Sequence, residues 1–283
     1  MMSVLSVAQA LPAGDVSSAA TVAPAHIDAR NIAVDFLLEG RRQRVLNGIN
    51  LAVPKGSFVS LIGPSGCGKS TLLKVLAGLI TPTEGQVTVD GIPPHEAAKR
   101  RVIGLAFQDA TLLPWKNALE NAAFLLQSAD GSLSNADSIA KAAAMLKLVD
   151  LDGVERKMPS QLSGGMRQRV AIARALALDP QVLLMDEPFG ALDAITREEM
   201  CRCLLDIWER TGKTIVLVTH SIDEAIFLSR EVHVMGTSPA RIIESLPIAL
   251  PQPRSDDSFS EPTFKAAEKR LRALLFESKR GPA

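Results

Sequence analysis

Residues 63–70 have the types and spacing that can bind a phosphate group. They read GPSGCGKS and fit the pattern G-x-x-x-x-G-K-[ST], between the apolar run FVSLI and a run with helical spacing. Glycines let successive backbone N–H groups point at one anion, and the N-terminus of the following helix adds partial positive charge. We expect Lys69 to reach the β- and γ-phosphates of a nucleotide, and the Ser70 hydroxyl to ligate Mg²⁺.

Two carboxylates and a histidine directly follow two other apolar runs. Asp186 and Glu187 come after VLLM, and His220 comes after TIVLVT. Ligands of open α/β sheets bind beyond the carboxyl ends of the strands, so Asp186 would hold Mg²⁺ through water and Glu187 would polarise an attacking water. His220 would contact the γ-phosphate, and Ser221 and Glu224 fit a capping box that opens the next helix. Alone, such residues also occur as solvated strand ends and structural histidines; the phosphate-binding loop favours the chemical interpretation.

The elements that must position these residues alternate between strands and helices, which predicts an α/β fold. The helical pattern over 70–79 places Leu72, Leu73, Leu76 and Leu79 on one face, and residues 117 to about 176 are mostly helical. Continuous apolar strands indicate a parallel sheet buried on both faces. The predicted strands are 30–36, 45–53, 58–62, 86–90, 102–107, 182–185 and 214–219, with a turn at 39–44 between the first two.

Composition excludes several classes of protein. The 283 residues carry 31 Lys+Arg and 31 Asp+Glu, so no net charge draws the chain to nucleic acid. No apolar run is long enough to span a membrane, and three cysteines make no disulfide framework. The Ala/Ser/Val-rich start lacks the basic residues of a signal peptide and is expected to be a disordered tail.

Residues 162–169, LSGGMRQR, resemble the signature sequence of the ATP-binding subunits of ABC transporters, although Met166 stands where the family most often has Gln. Over about residues 30–250 the other family elements occur in order. The resemblance implies a Q-loop glutamine at Gln108, a Walker B pair at Asp186 and Glu187, a D-loop ending at Asp193 and a switch histidine at His220. It implies that ATP phosphates contact Gly63, Pro64, Ser65, Gly66, Cys67, Gly68, Lys69, Ser70 and Thr71.

The same resemblance assigns the remaining site residues. Catalysis would involve Glu187, His220, Lys69 and Gln108, and Mg²⁺ would be held by Ser70, Gln108 and Asp186. Phe36 is the candidate for stacking on adenine, because the chain has no tyrosine; its alternative role is that of a core phenylalanine.

The fold implied is a P-loop NTPase core with a small antiparallel β subdomain and an inserted α-helical subdomain. The predicted division is a disordered tail over 1–26, an ABC ATP-binding domain over 27–250 and a linker with a C-terminal helix over 251–283. The helical subdomain would span about 109–177. An apolar stripe in the C-terminal helix, either packed on the core or binding a partner, consists of Phe264, Leu271, Leu274 and Leu275.

Ser163, Gly164 and Gly165 lie at the start of a helix expected over about 164–177, which makes a second anion-binding helix N-terminus. In this family the two sites meet in a head-to-tail dimer. Each ATP lies between the phosphate loop of one chain and the signature of a second copy, an arrangement that fits C₂ symmetry.

Segments such as LLPWKNALENAAF and EPFGALDAITR look like those of the ATPases of nitrate, sulfonate and taurine importers. The resemblance implies a dimer at the cytoplasmic face of the inner membrane, bound to transmembrane permease subunits and served indirectly by a periplasmic or extracellular solute-binding protein. The apolar cluster 112–115 would contact the permease or pack within the helical subdomain. The alternative is a soluble ABC ATPase of translation or DNA repair. A P-loop kinase or GTPase would leave LSGGM and His220 unexplained.

Overall fold

A computed structural model describes residues 25–128, 133–237 and 239–280 of the chain. Nearly all of the predicted N-terminal tail lies outside these described residues. Within them the chain forms nine β-strands and eight α-helices in the order of an α/β fold. None of the described helices has the length and apolar character needed to cross a membrane.

The larger sheet has six strands in the order β5-β6-β7-β3-β8-β9. All of its neighbouring strands are parallel except β8 and β9, which pair antiparallel. The sequence did not predict β8 and β9, although the alternating EVHVM is typical of a strand. The strands are β3 (Phe58–Ile62), β5 (Ile103–Ala106), β6 (Val182–Asp186), β7 (Thr214–Val218), β8 (Glu231–Met235) and β9 (Ile242–Pro247).

A second, antiparallel sheet has the order β2-β1-β4, formed by β1 (Ala25–Leu38), β2 (Arg41–Pro54) and β4 (Glu84–Val89). Strands β1 and β2 extend beyond the predicted 30–36 and 45–53. The predicted turn over 39–44 is wrong, because the hairpin turns on only two residues. Glu39 and Gly40 have φ values of 50° and 77°, and positive φ at both positions matches the twist of the paired strands. Since β1 begins at Ala25, the last two residues assigned to the tail belong to a strand.

The helices are α1 (Lys69–Leu76), α2 (Pro94–Lys99), α3 (Ala118–Ser128), α4 (Asn135–Leu148), α5 (Gly164–Ala177), α6 (Ala194–Thr211), α7 (Ile222–Leu228) and α8 (Pro262–Arg280). Helices α3, α4 and α5 pack on one another. Helix α1 ends at Leu76, before Gly78 with φ 73°, so Leu79 lies outside the helix with 60% of its surface exposed. The prediction that Leu79 shares the apolar face of α1 is wrong.

The central strands are buried on both faces, which explains their continuous apolar sequence. In β3, Phe58 and Ile62 face one apolar cluster, which includes residues of α5, α6, α7 and α8. Val59 and Leu61 face the other, with α1 and the antiparallel sheet. The prediction of an α/β core with a small antiparallel β part and helices packed around it is confirmed.

The C-terminal part lies against the core. Phe264, Leu271 and Leu274 are buried in the larger apolar cluster, with Leu275 packed beside them, so the stripe of α8 packs on the core as expected. The linker part of the predicted 251–283 segment, which precedes α8, contains a 3₁₀ turn at Asp256–Ser260. The division of the chain into tail, ATP-binding domain and C-terminal part stays a prediction.

Candidate active site

The phosphate-binding loop connects the carboxyl end of β3 to the first turn of α1. Gly68 immediately precedes the helix with φ 102°, a conformation that favours glycine. Gly63 lies so close to the end of β8 that a Cβ on it would come within 2.6 Å of Met235 O. Gly68 likewise faces Leu46, Val45 and Ala240. The loop is therefore held between β2 and the β8–β9 loop, a support that sequence reasoning missed.

Lys69 is almost completely buried at the start of α1, with 4% of its surface exposed. Its Nζ donates hydrogen bonds to Gly63 O at 2.9 Å and to Pro64 O at 3.1 Å. An ammonium group has three donors, so one remains for an anion held by the loop. Within the loop, Cys67 N donates to Pro64 O, Ser65 and Gly66 are exposed, and burial raises the pKa of the Cys67 thiol.

The first turn of α1 meets the end of β6 through Ser70. Its Oγ donates to Asp186 Oδ1 at 2.9 Å, and Thr71 follows it half-buried. Burial raises the pKa of Asp186, with the Ser70 hydrogen bond acting in the opposite direction. A hydroxyl and a carboxylate at one point are the hard oxygen ligands that Mg²⁺ prefers, in a site that keeps room for waters and phosphate oxygens. The structure thus brings together two of the three residues predicted to hold the metal.

Glu187 and His220 lie together just beyond β6 and β7. Glu187 Oε2 is 3.1 Å from His220 Nδ1, and about half of the His220 side chain is exposed. Glu187 has φ 46°, and its N–H donates to Val218 O at 2.9 Å. A non-glycine residue in this region costs about 1–3 kcal/mol and persists only where its surroundings enforce it. The hydrogen bond to Val218 is one of the contacts that hold the backbone of Glu187 in this conformation, with its carboxylate beside the histidine.

Gln108 is exposed on the loop after β5, and a Cβ on Gly190 would lie 3.2 Å from its Nε2. It lines an open cleft with Asp186, Lys74 and Gly164. Gln168 of α5 donates to the carbonyl of Phe107 at 2.9 Å, which fixes the loop to that helix. Gln108 therefore faces the turn that follows Glu187.

The signature segment begins helix α5. Ser163 is the N-cap, and its hydroxyl accepts from Met166 N at 3.2 Å. This cap does not use the N–H groups of Gly164 and Gly165. Gly165 lies against α6, where a Cβ would clash with Thr196 Cγ2. The predicted helix bounds of 164–177 are confirmed.

Asp193 caps helix α6 in the same way. Its Oδ1 accepts from Thr196 N at 3.0 Å, and that backbone hydrogen bond holds the pKa of Asp193 below its usual value. Because Gly165 packs on Thr196, the signature and the turn carrying Asp193 form one surface.

Phe36 lies near the tip of the β1–β2 hairpin, paired with Gln43, and 37% of its surface is exposed. It is therefore not a fully buried core residue. A Cβ on Gly68 would lie 3.5 Å from Val45 Cγ1 of the same hairpin, so β2 borders the phosphate-binding loop. The adenine role of Phe36 stays a prediction.

Sequence reasoning was wrong about half of the capping box at α7. Ser221 Oγ accepts from Glu224 N at 3.3 Å, as expected, but the Glu224 carboxylate accepts from Thr219 Oγ1 instead of from Ser221 N. Ser221 N donates to Thr219 Oγ1 at 3.0 Å. Glu224 also faces Arg197 of α6 at 3.6 Å. The S-x-x-E pattern located Glu224 but did not show these partners.

Comparison with known proteins agrees with this geometry. The sequence profile described as ABC transporter matches residues 46–190. A taurine import ATP-binding protein of Pseudomonas aeruginosa is 46% identical over 222 residues, 78% of this chain and 83% of the relative. An aliphatic sulfonates import ATP-binding protein of Bacillus cereus is 45% identical over 245 residues, 86% of this chain and 95% of the relative.

Solved structures show the same fold. The ATP-binding cassette MJ0796, a dimer in a post-hydrolysis state bound to ADP and Pi, has a TM-score of 0.70 and 36% identity over 78% of this chain and 98% of its own. The structure of cbiO1 from Clostridium perfringens has a TM-score of 0.71 and 25% identity over 90% of this chain and 99% of its own. By its motifs, their geometry and these similarities, the chain belongs to the ABC transporter family, as an ATP-binding and ATP-hydrolysing subunit.

Proposed function

We propose that this ATPase hydrolyses MgATP at the carboxyl ends of β3, β6 and β7. The observation that carries the proposal is a pair of contacts at one edge of the sheet. Ser70 Oγ bonds Asp186 Oδ1 at 2.9 Å, and Glu187 Oε2 lies 3.1 Å from His220 Nδ1. The first contact joins the phosphate-binding loop to the acidic strand end, and the second places a base beside a group that can contact phosphate.

Each residue has a distinct role in the proposed reaction. Backbone N–H groups of residues 63–71 and the ammonium of Lys69 bind the phosphates. Ser70, Asp186 and Gln108 would hold Mg²⁺, which neutralises charge on the β- and γ-phosphates when bound. Glu187 orients and polarises the attacking water, while His220 contacts the γ-phosphate. Phe36 stacks on the adenine.

The active unit is a dimer of two copies. Ser163, Gly164, Gly165 and Asp193 of one copy complete the site on the phosphate-binding loop of the other. The N–H groups at the start of α5 suit an anion, and the structures of MJ0796 are described as dimeric.

The dimer powers import through separate transmembrane permease subunits at the cytoplasmic face of the inner membrane. The solute is nitrate, an aliphatic sulfonate, taurine or a similar small solute, delivered by a solute-binding protein. The names of the relatives support the sulfonate class. Trp115, 70% exposed after the Q-loop, suits contact with a permease, while Leu112 packs inward. Neutral net charge disfavours nucleic acid as a partner.

Replacement of Glu187 by Gln tests the catalytic proposal. The variant should bind MgATP like the wild type but lose at least about 10²-fold in kcat, the typical effect of removing one preorganised group. Glu277→Gln, on the exposed face of α8, is the matched control and should keep wild-type turnover. Unchanged turnover of Glu187→Gln would contradict the role of Glu187.

Growth on defined sulfur sources tests the transport proposal. A strain that lacks this gene should fail to grow on taurine or an aliphatic sulfonate as sole sulfur source and should grow on sulfate. The wild-type gene should restore growth and Glu187→Gln should not. Normal growth on both sulfonates with a defect on nitrate as nitrogen source would assign nitrate, and not a sulfonate, as the solute. Co-purification with ribosomes or DNA, and with no permease, would favour the soluble alternative.

A further inference from the structure

A chain of polar contacts joins two segments that approach the ATP site from different strands. One segment is the turn that ends at Leu192 and Asp193, and the other is the loop of Thr219, His220 and Ser221. Arg197 of α6 and Glu224 of α7 lie between them. Arg197 Nη2 donates to Leu192 O at 2.9 Å, and Arg197 Nε lies 3.6 Å from Glu224 Oε1.

The second half of the chain runs from Glu224 to the histidine loop. Thr219 Oγ1 donates to Glu224 Oε2 and accepts from Ser221 N at 3.0 Å. Thr219 N also donates to Leu61 O of β3 at 3.2 Å. Thr219 and Ser221 flank His220 in the chain, and the Thr219 hydroxyl bonds both the backbone of Ser221 and the carboxylate of Glu224.

Burial makes the Glu224 carboxylate dependent on its partners. Glu224 and Thr219 are 7% and 2% exposed, whereas about half of the His220 side chain is exposed. A buried carboxylate is stable only where charge or hydrogen bonds compensate its lost hydration, and the facing cation is Arg197. The His220 side chain contacts Glu187 but is about half exposed, so the residues beside it in the chain must also help to hold it in place.

We propose that Arg197 and Glu224 are positioning residues that hold the His220 loop in register with the Leu192–Asp193 turn. This inference rests on the proposed roles of His220 and Asp193. The link between Arg197 and Glu224 keeps two features of one chain at a fixed distance from each other. One is the contact of His220 with Glu187, and the other is the surface around Asp193 that faces the second copy. Neither Arg197 nor Glu224 touches ATP in this proposal.

Substitution of Glu224 by Gln breaks the link selectively. The amide oxygen still accepts from Thr219 Oγ1, but the neutral amide no longer balances the charge of Arg197. A misplacement of about 1 Å can cost about 100-fold in rate, and we expect the smaller displacement of His220 to lower kcat about 10-fold. The KM for MgATP should stay within about twofold, since Lys69 and the loop N–H groups are unchanged. Arg197→Gln should lower kcat to the same extent.

The double variant and a neighbouring control separate positioning from general damage. The double variant Glu224→Gln with Arg197→Gln should have a kcat about 10-fold below wild type, and not about 100-fold below it, because both changes remove the same coupled interaction. Glu198→Gln is the control, since Glu198 is exposed on α6 and lies 3.6 Å from Arg202. It should keep wild-type kcat. All assays are made at a temperature well below the lowest Tm of the set.

Two results would overturn the proposal. One is a kcat of Glu224→Gln within twofold of wild type, and the other is multiplication of the two single losses in the double variant. Glu187→Gln measured in parallel distinguishes this from failure of the proposed function. If Glu187→Gln loses turnover while Glu224→Gln does not, only the positioning role is refuted.

Discussion

Arg254 fixes the C-terminal segment to the end of helix α7, and its replacement by Met should destabilise the protein. The side chain is 7% exposed, and its guanidinium donates to Phe227 O at 2.7 Å, Ser229 O at 2.8 Å and Ile226 O at 3.2 Å. Burial lowers the pKa of Arg254 to about 10, so the group is still charged at neutral pH. Three carbonyls at the end of a helix thus share one buried cation.

The expected loss follows from these contacts. Hydrogen bonds to charged groups contribute about 1.5–3 kcal/mol each, so the two short ones contribute about 3–6 kcal/mol. Arg254→Met removes these hydrogen bonds but also removes the desolvation penalty of the buried charge. The free energy of unfolding should therefore fall by about 3 kcal/mol in net terms. For a chain of this size that lowers Tm by about 6 °C or somewhat more. Arg254→Lys should lie between, because an ammonium lacks the planar fork that reaches three carbonyls.

Thermal unfolding followed by circular dichroism measures the effect. Arg272→Met is the matched control, since Arg272 is exposed on α8 and pairs with Glu268; such a pair contributes about 0–1 kcal/mol. A Tm of Arg254→Met within about 1 °C of the control would refute the reasoning, because that shift is far below the one expected from the contacts.

Two further predictions concern the loop lysine and a buried histidine. Lys69→Ala should raise the Kd for MgATP about 10- to 100-fold, since a charge-assisted contact of about 1.5–3 kcal/mol is lost; titration calorimetry measures it, and wild-type affinity would contradict the loop assignment. Burial lowers the pKa of His233 to about 4, and its Nδ1 lies 2.7 Å from Ser245 Oγ. On acidification the unfolded chain protonates His233 near pH 6.5, before the folded chain does. The free energy of unfolding present above about pH 6.5 is therefore lost as the pH falls toward 4, by about 2 kcal/mol between pH 7 and 5. His233→Gln should lack that part of the decline in urea unfolding, and an unchanged decline would show that other groups cause it.

Much of the site is predictable because its residues are close in sequence. The phosphate-binding loop is encoded within eight residues between a buried strand and a helix, and the caps at Ser163 and Asp193 involve backbone groups three residues away. The carboxyl-end rule for parallel strands then places Asp186, Glu187 and His220 at one edge of the sheet. Strand β8 was overlooked although EVHVM alternates. Strand β9, IIESLP, contains Glu, Ser and Pro and pairs only with β8 at the edge of the sheet, so its strand character depends on that partner.

The amino-acid sequence by itself determined the family, the nucleotide chemistry and the α/β alternation, since each depends on local patterns of residue type and spacing. Only the tertiary structure decided which distant groups meet. Sequence reasoning assigned Glu224 to a local cap, and folding places it between Thr219 and Arg197. It likewise brings Arg254 onto the carbonyls of α7, more than twenty residues earlier in the chain. A buried charge is stable only where a nearby group compensates its lost hydration. Which group lies nearby depends on the folded structure and not on spacing along the chain.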